Sequence, residues 1–274
     1  MYLRILKKDL KRKKTMNVIL LLFVILATMF AASSVNNIMS VINGLDNYFE
    51  KANLSDHFII NVNNNGDEIA DMIAQKSTVK DFRREDQLFM DDNSVTKNGK
   101  KLLDTSNTFL VLSIDNAQIN YFNSDNEVIT EVKEGTAYLT SSLASKSKLE
   151  IGEKFNVKLG NTQLSLEYAG IAKDAFLGSE MMGNSRILMN SGDYVKLDAD
   201  EKASQNNQAQ IFYINGYDKK ALASDLSDLP NVQFNKDQTL VRTSYIMNSI
   251  VAGLLLIVSI CLLIVSFVDR KSVV

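Results

Sequence analysis

Residues 137–175 read AYLTSSLASKSKLEIGEKFNVKLGNTQLSLEYAGIAKDA, a helical pattern followed by two alternating ones. Apolar residues at helical spacing over Ser141 to Leu149 predict a helix. Gly152 allows a tight turn out of it, because glycine accepts backbone angles that a side chain forbids. Phe155, Val157 and Leu159 then alternate with polar residues along one strand, and Leu164, Leu166 and Tyr168 do so along its hairpin partner.

The same two periods extend outward. Phe58 to Val62, Phe109 to Ile114 and Ile211 to Ile214 are short runs of β-branched and aromatic residues bounded by Asn, Asp and Gly, and these predict strands, as do Phe155 to Leu159 and Leu164 to Ile171. Asp67 to Gln75, Asp193 to Leu197 and Lys219 to Leu229 predict helices, the last stopped by Pro230. Loop residues concentrate at Asn61 to Gly66, Asp91 to Gly99, Asn123 to Asn126 and Asp198 to Gln210. The central region therefore reads as mixed α and β, one compact unit or two lobes meeting near 130 to 135.

Two uncharged apolar runs flank it, Asn17 to Val35 and Thr243 to Val268. Their composition and length predict two transmembrane helices. Seven bases among the first fifteen residues, from Arg4 to Lys14, face one acid, Asp9; Arg270 and Lys271 follow the second run. Basic flanks favour the cytoplasm. Acids outnumber bases between residues 37 and 245, although the whole chain is only −2, so that part is expected outside the cytoplasm and offers no basic patch for nucleic acid. A cleavable signal peptide ending near Ala31-Ala32-Ser33 is the competing reading of the first run. Against it, Val35, Ile38, Ile42, Leu45, Phe49 and Ala52 continue at steps of three and four, the seam of a helix packed on a partner. Leu3, Leu6 and Leu10 opposite Arg4, Lys7, Lys8 and Lys11 read as an interfacial helix on lipid.

Catalytic chemistry is scarce. The one cysteine, Cys261, falls in the second run, so the acidic region has no disulfide and no thiolate metal site. His57 is the one histidine, and no nucleophile-elbow pattern accompanies it. Asp91-Asp92, Glu85-Asp86 and Asp198-Asp200-Glu201 lack the spacing of a calcium loop, and no Walker-type phosphate loop is present. The expected sites are accordingly none: no catalytic, cofactor-binding or metal-binding residue.

The 137–175 stretch resembles the core segment of extracytoplasmic domains in FtsX-like and MacB-like permeases of ABC transporters. The resemblance rests on Leu143, Ala144, Leu149 and Ile151 in the helix, on Gly152-Glu153-Lys154-Phe155 entering the strand, with Glu153 where the family favours aspartate, and on Ala169-Gly170-Ile171 closing the hairpin. The order of basic start, apolar run, stalk, large domain and apolar run is also similar to that family.

What the resemblance implies is an α+β chain in which two transmembrane helices flank a mixed α/β extracytoplasmic domain with a helical stalk. The divisions are 1–15 basic amphipathic segment, 16–36 first transmembrane helix, 37–57 stalk helix, 58–239 MacB-like core domain, 240–268 stalk and second transmembrane helix, and 269–274 tail. Both termini are expected in the cytoplasm of a multi-pass plasma-membrane protein. The implied function is that of a truncated, non-enzymatic permease component, coupling ATP hydrolysis by a partner ABC ATPase subunit to motion of the outer domain for efflux or extraction of peptides, lipids or lipoproteins. A second permease half or the missing remainder, together with membrane lipids, are the other implied partners, and no cofactor is implied. A tethered sensor or ligand-binding module is the alternative.

Overall fold

The computed structural model describes residues 39–179, 184–230 and 232–247, with isolated helical positions at 22, 25, 29, 254 and 257. The chain forms two compact units, one of Met1–Asp46 with Ile246–Val274 and one of Asn47–Tyr245. In the first unit the described residues are helical.

The expectation of two transmembrane helices is corrected here. No described helix is long and apolar enough to cross a membrane. The helical run 39–51 (α1) carries Asp46, Glu50 and Lys51, and the run 238–247 carries Arg242. Thirteen and ten residues at about 1.5 Å each fall well short of a hydrocarbon core of roughly 30 Å, and a central charge adds about 2.5–3.5 kcal/mol. Most of Asn17 to Val35 and of Thr243 to Val268 lies outside the described residues, as do the 1–15 segment, the 269–274 tail and Cys261. The multi-pass membrane location, with both termini cytoplasmic and the centre outside, rested on those two spans and is corrected with them.

The second unit is built on one eleven-stranded mixed sheet of order β11-β1-β10-β2-β5-β9-β6-β8-β7-β3-β4. Its strands are β1 (His57–Asn61), β2 (Val79–Met90), β3 (Val95–Lys97), β4 (Lys100–Lys101), β5 (Thr108–Ser113), β6 (Thr136–Thr140), β7 (Lys154–Leu159), β8 (Thr162–Ala172), β9 (Asn184–Met189), β10 (Gln208–Gly216) and β11 (Phe234–Asp237). Two neighbouring pairs, β5 with β9 and β6 with β8, are parallel; the other pairs are antiparallel. The helices are α2 (Gly66–Ala74), α3 (Ser141–Ser147), α4 (Ser191–Asp198), α5 (Glu201–Asn206), α6 (Lys219–Leu226) and α7 (238–247), with a 3-10 turn at Ile114–Asn116.

The helix and hairpin read over 137–175 form as α3, β7 and β8, with Phe155 facing Leu166 and Val157 facing Leu164. Gly152 holds φ +90, the turn for which only glycine is unstrained. Asn190, Asp200 and Asp218 cap α4, α5 and α6 by accepting backbone N–H groups of Gly192, Ala203 and Ala221. Two apolar cores result. Ile59, Phe212 and Ile214 pack against Ile69 and Ile73 of α2 and Leu222 and Leu226 of α6. Leu88, Val111, Leu139 and Ile187 pack with Leu143 of α3 and Leu197 of α4. Strand alternation places Phe82, Arg84, Asp86 and Leu88 of β2 on this helix-covered side and turns Arg83, Glu85 and Gln87 to the other.

Candidate functional site

The opposite side of the sheet carries a buried ionic cluster. Arg186 of β9 is 1% exposed, and Glu85 of β2 and Asp174 after β8 are fully buried. Arg186 Nη1 donates to Asp174 Oδ2 at 2.6 Å, and Nη2 faces Glu85 Oε1 at 3.1 Å as an ion pair. Glu85 is also the acceptor for the Tyr213 hydroxyl at 3.0 Å, the Tyr121 hydroxyl at 3.2 Å and the Gln118 backbone N–H at 3.0 Å. The Tyr121 ring lies under the guanidinium, 5.2 Å from its carbon. Burial pushes the Glu85 carboxyl up from the usual range, while the Arg186 charge and the donors at Gln118 and Tyr213 pull it down. Burial likewise raises the phenols of Tyr121 and Tyr213, which stay protonated and donate.

This cluster ties the ends of the domain to its centre. Asp174 Oδ1 takes the N–H groups of Phe176 and Leu177 at 2.8 and 2.9 Å, folding residues 174–178 into a turn. Gly178 sits where a Cβ would meet Asp174 O at 2.2 Å, so the turn closes only without a side chain. Tyr245 of α7 donates its hydroxyl to Asp174 O at 2.8 Å. Its ring meets Tyr48 and Phe49 of α1 edge-on, with centroids 6.3 and 6.0 Å apart, and Arg242 lies over Phe49 at 5.7 Å. From the other direction Arg83 Nη2 grips Asn53 O and Ser55 Oγ, each at 2.8 Å, just beyond α1. Asn120 donates its backbone N–H to Ala52 O and its side chain to Lys51 O, capping the end of α1. Both helices that bound the domain thus end on groups bonded to β2 and β9.

His57 lies one strand away and is buried. Its Nε2 donates to Asn235 Oδ1 at 2.6 Å, Asn235 Nδ2 donates to Leu226 O, and Nδ1 is buried with no partner. A proton arriving at Nδ1 meets no acceptor, and burial lowers the histidine's affinity for it. The unfolded chain then binds more protons than the folded one below about pH 6.5, so stability falls as pH drops through that value. Glu85 acts with the opposite sign, gaining protons more readily when folded. The contribution of His57 is therefore read as a difference: between pH 7 and 5, the urea midpoint of the natural chain should drop further than that of His57→Gln. Equal drops would remove His57 from the account.

The acidic pairs seen in the sequence disperse. Glu85 is buried in the cluster while Asp86 is exposed on the other side of β2. Asp91 closes its own turn by accepting from Asn93 and Ser94, and Asp92 pairs with Lys101 at 2.9 Å. Asp200 caps α5 and holds Asn161 N. Among the described residues no group of three His, Cys, Asp or Glu side chains is arranged to hold a metal. The sequence reading named no site residue, and it missed Asp174 and Arg186 altogether.

No protein-family model and no curated protein matches the sequence. Among solved structures, the chain is similar to a protein described as a lipoprotein from Bacillus anthracis, at 9% identity, over 66% of this chain and 96% of that one, with a TM-score of 0.38. A distant neighbour is a domain of a protein described as a permease from Porphyromonas gingivalis, at 12% identity, over 64% and 82% of the two chains, with a TM-score of 0.33. Likeness at this level fixes neither topology nor chemistry.

Proposed function

We propose that the Asn47–Tyr245 domain is a non-enzymatic coupling module of an ABC-type permease complex, moved through its bounding helices by a partner ATPase and acting on whatever the complex extrudes or extracts. The observation that carries this reading is the attachment of α7 to the sheet centre, through the Tyr245 hydroxyl on Asp174 and the Asp174–Arg186–Glu85 chain. A displacement of α7 has to pull on buried charges in β9 and β2 rather than on a loose linker. The resemblance over Ala137 to Ala175 points to the same class of partner. It implies an ATPase subunit and further permease parts as the complex.

Isolation of the full chain with its bound proteins, identified by mass spectrometry, tests the partner. An ATPase bearing a Walker motif supports the reading; a kinase or cyclase in its place favours the sensor alternative and overturns coupling. In the isolated complex, Tyr245→Phe keeps the ring packing and removes the hydroxyl. Basal ATP turnover should stay unchanged while the stimulation linked to this chain falls about fivefold, the loss of one hydrogen bond of about 1 kcal/mol. Stimulation equal to that of the natural chain would defeat the proposal.

A further inference from the structure

On the helix-covered side of the sheet, the two apolar cores leave a bare polar strip of β2 and β10 between them. Two cavities lie along it, about 310 Å³ and about 230 Å³, sharing Arg84, Gln208 and Gln210. One arginine stands there against four carboxylates, Asp67, Glu68, Asp86 and Asp198. Arg84 is occupied already, held by Asp67 at 2.5 Å and by Asp86 at 2.7 Å, so the strip offers little to an anion.

The smaller cavity holds three unused acceptors. Asp86 spends Oδ1 on Arg84 and leaves Oδ2 without a partner among the described residues. Asp198 spends Oδ1 on the Ser204 hydroxyl and leaves Oδ2. Tyr194, whose ring is packed in the core of α3 and α4 and which is only 9% exposed, makes no hydrogen bond with its hydroxyl among the described residues. That hydroxyl lies in the field of both Asp198 and Asp86, which with burial hold the phenol protonated.

We infer that this cavity binds a primary alkylammonium group, its three N–H donors shared among Asp86 Oδ2, Asp198 Oδ2 and the Tyr194 hydroxyl. An ammonium brings three donors and no acceptor, the complement of that set. A metal ion is disfavoured by the single neutral phenol among only two carboxylates, and no metal-holding group occurs among the described residues. The larger cavity continues past Gln208 to Asp67 and Glu68, so a second amine further along the same ligand meets carboxylates too. A free polyamine and a lysine side chain of a peptide share this chemistry.

The inference is independent of the coupling reading, because its test uses the full chain with no ATPase present. Isothermal titration at low salt should show saturable binding of spermidine or of N-acetyl-lysine amide. The tighter of the two identifies the source, polyamine or peptide-borne lysine. Tyr194→Phe, which keeps the ring, and Asp198→Asn, which keeps an acceptor for Ser204, should each weaken binding about tenfold, with urea midpoints showing both variants folded. Absence of saturable binding, binding of magnesium chloride or inorganic phosphate as tight as that of the amines, or natural affinity in both variants would each overturn it.

Discussion

Arg186→Met should lower the stability of the domain by about 3–5 kcal/mol, because it strands two fully buried carboxylates, Glu85 and Asp174, without their cation. Neither acid has a second cation within the ion pairs of the cluster. The hydroxyls of Tyr121 and Tyr213 still reach Glu85, but neutral donors do not replace a guanidinium. Adding Glu85→Gln and Asp174→Asn to Arg186→Met should recover much of the loss, since the arrangement is then neutral and the desolvation term disappears. Urea denaturation of the three chains measures both changes. A single substitution that costs under about 1 kcal/mol would show that the cluster is hydrated.

Phe176→Ala is expected to cost a similar amount, about 3–5 kcal/mol, by a different route. The ring is fully buried, stacked on Phe58 with centroids 4.5 Å apart and edge-on to Tyr213 and Phe234 at 6.0 and 5.9 Å. It pins the turn that Asp174 and Gly178 form, and through that turn the seat of Tyr245. Amide exchange should therefore quicken in α7 as well as around the cavity. Loss of stability without faster exchange in α7 would separate packing from anchorage. The two substitutions share the Asp174 turn, so their effects should not add.

Strand and helix periods in the sequence marked the scaffold well where one side is apolar. Phe155 to Leu159 and Leu164 to Ile171 formed a hairpin because their alternation matches a half-buried sheet. The β2 strand escaped notice for a physical reason. Its sequence VKDFRREDQLFM puts Arg83 and Glu85 inward, and charges at alternate positions read as solvated until their partners are known. Those partners, Asn53 and Ser55 for Arg83 and Arg186 for Glu85, lie far along the chain, and no local pattern connects them. The α5 helix, EKASQN, lies within the stretch Asp198 to Gln210 that reads as loop, because it has almost no apolar residue to show a period. Apolar composition and length over Asn17 to Val35 and Thr243 to Val268 suggested membrane spans, whereas no described helix is long and apolar enough to cross a membrane. The cavity at Tyr194 was invisible for a simpler reason: an unused hydroxyl is a property of the fold and has no sequence signature.

The order of strands also has a kinetic side. β1 is the first strand among the described residues, all five of its residues are buried, and its neighbours are β10 and β11, with His57 opposite both Ile214 and Asp237. At about 5–20 residues per second on the ribosome, HFIIN waits roughly seven to thirty seconds for β10 to emerge. Through that interval a sticky, unpaired segment is available to other nascent chains, and closing so long a loop is itself slow. A cell making this protein needs either a chaperone that shelters β1 or a rate of synthesis low enough that two waiting copies seldom meet.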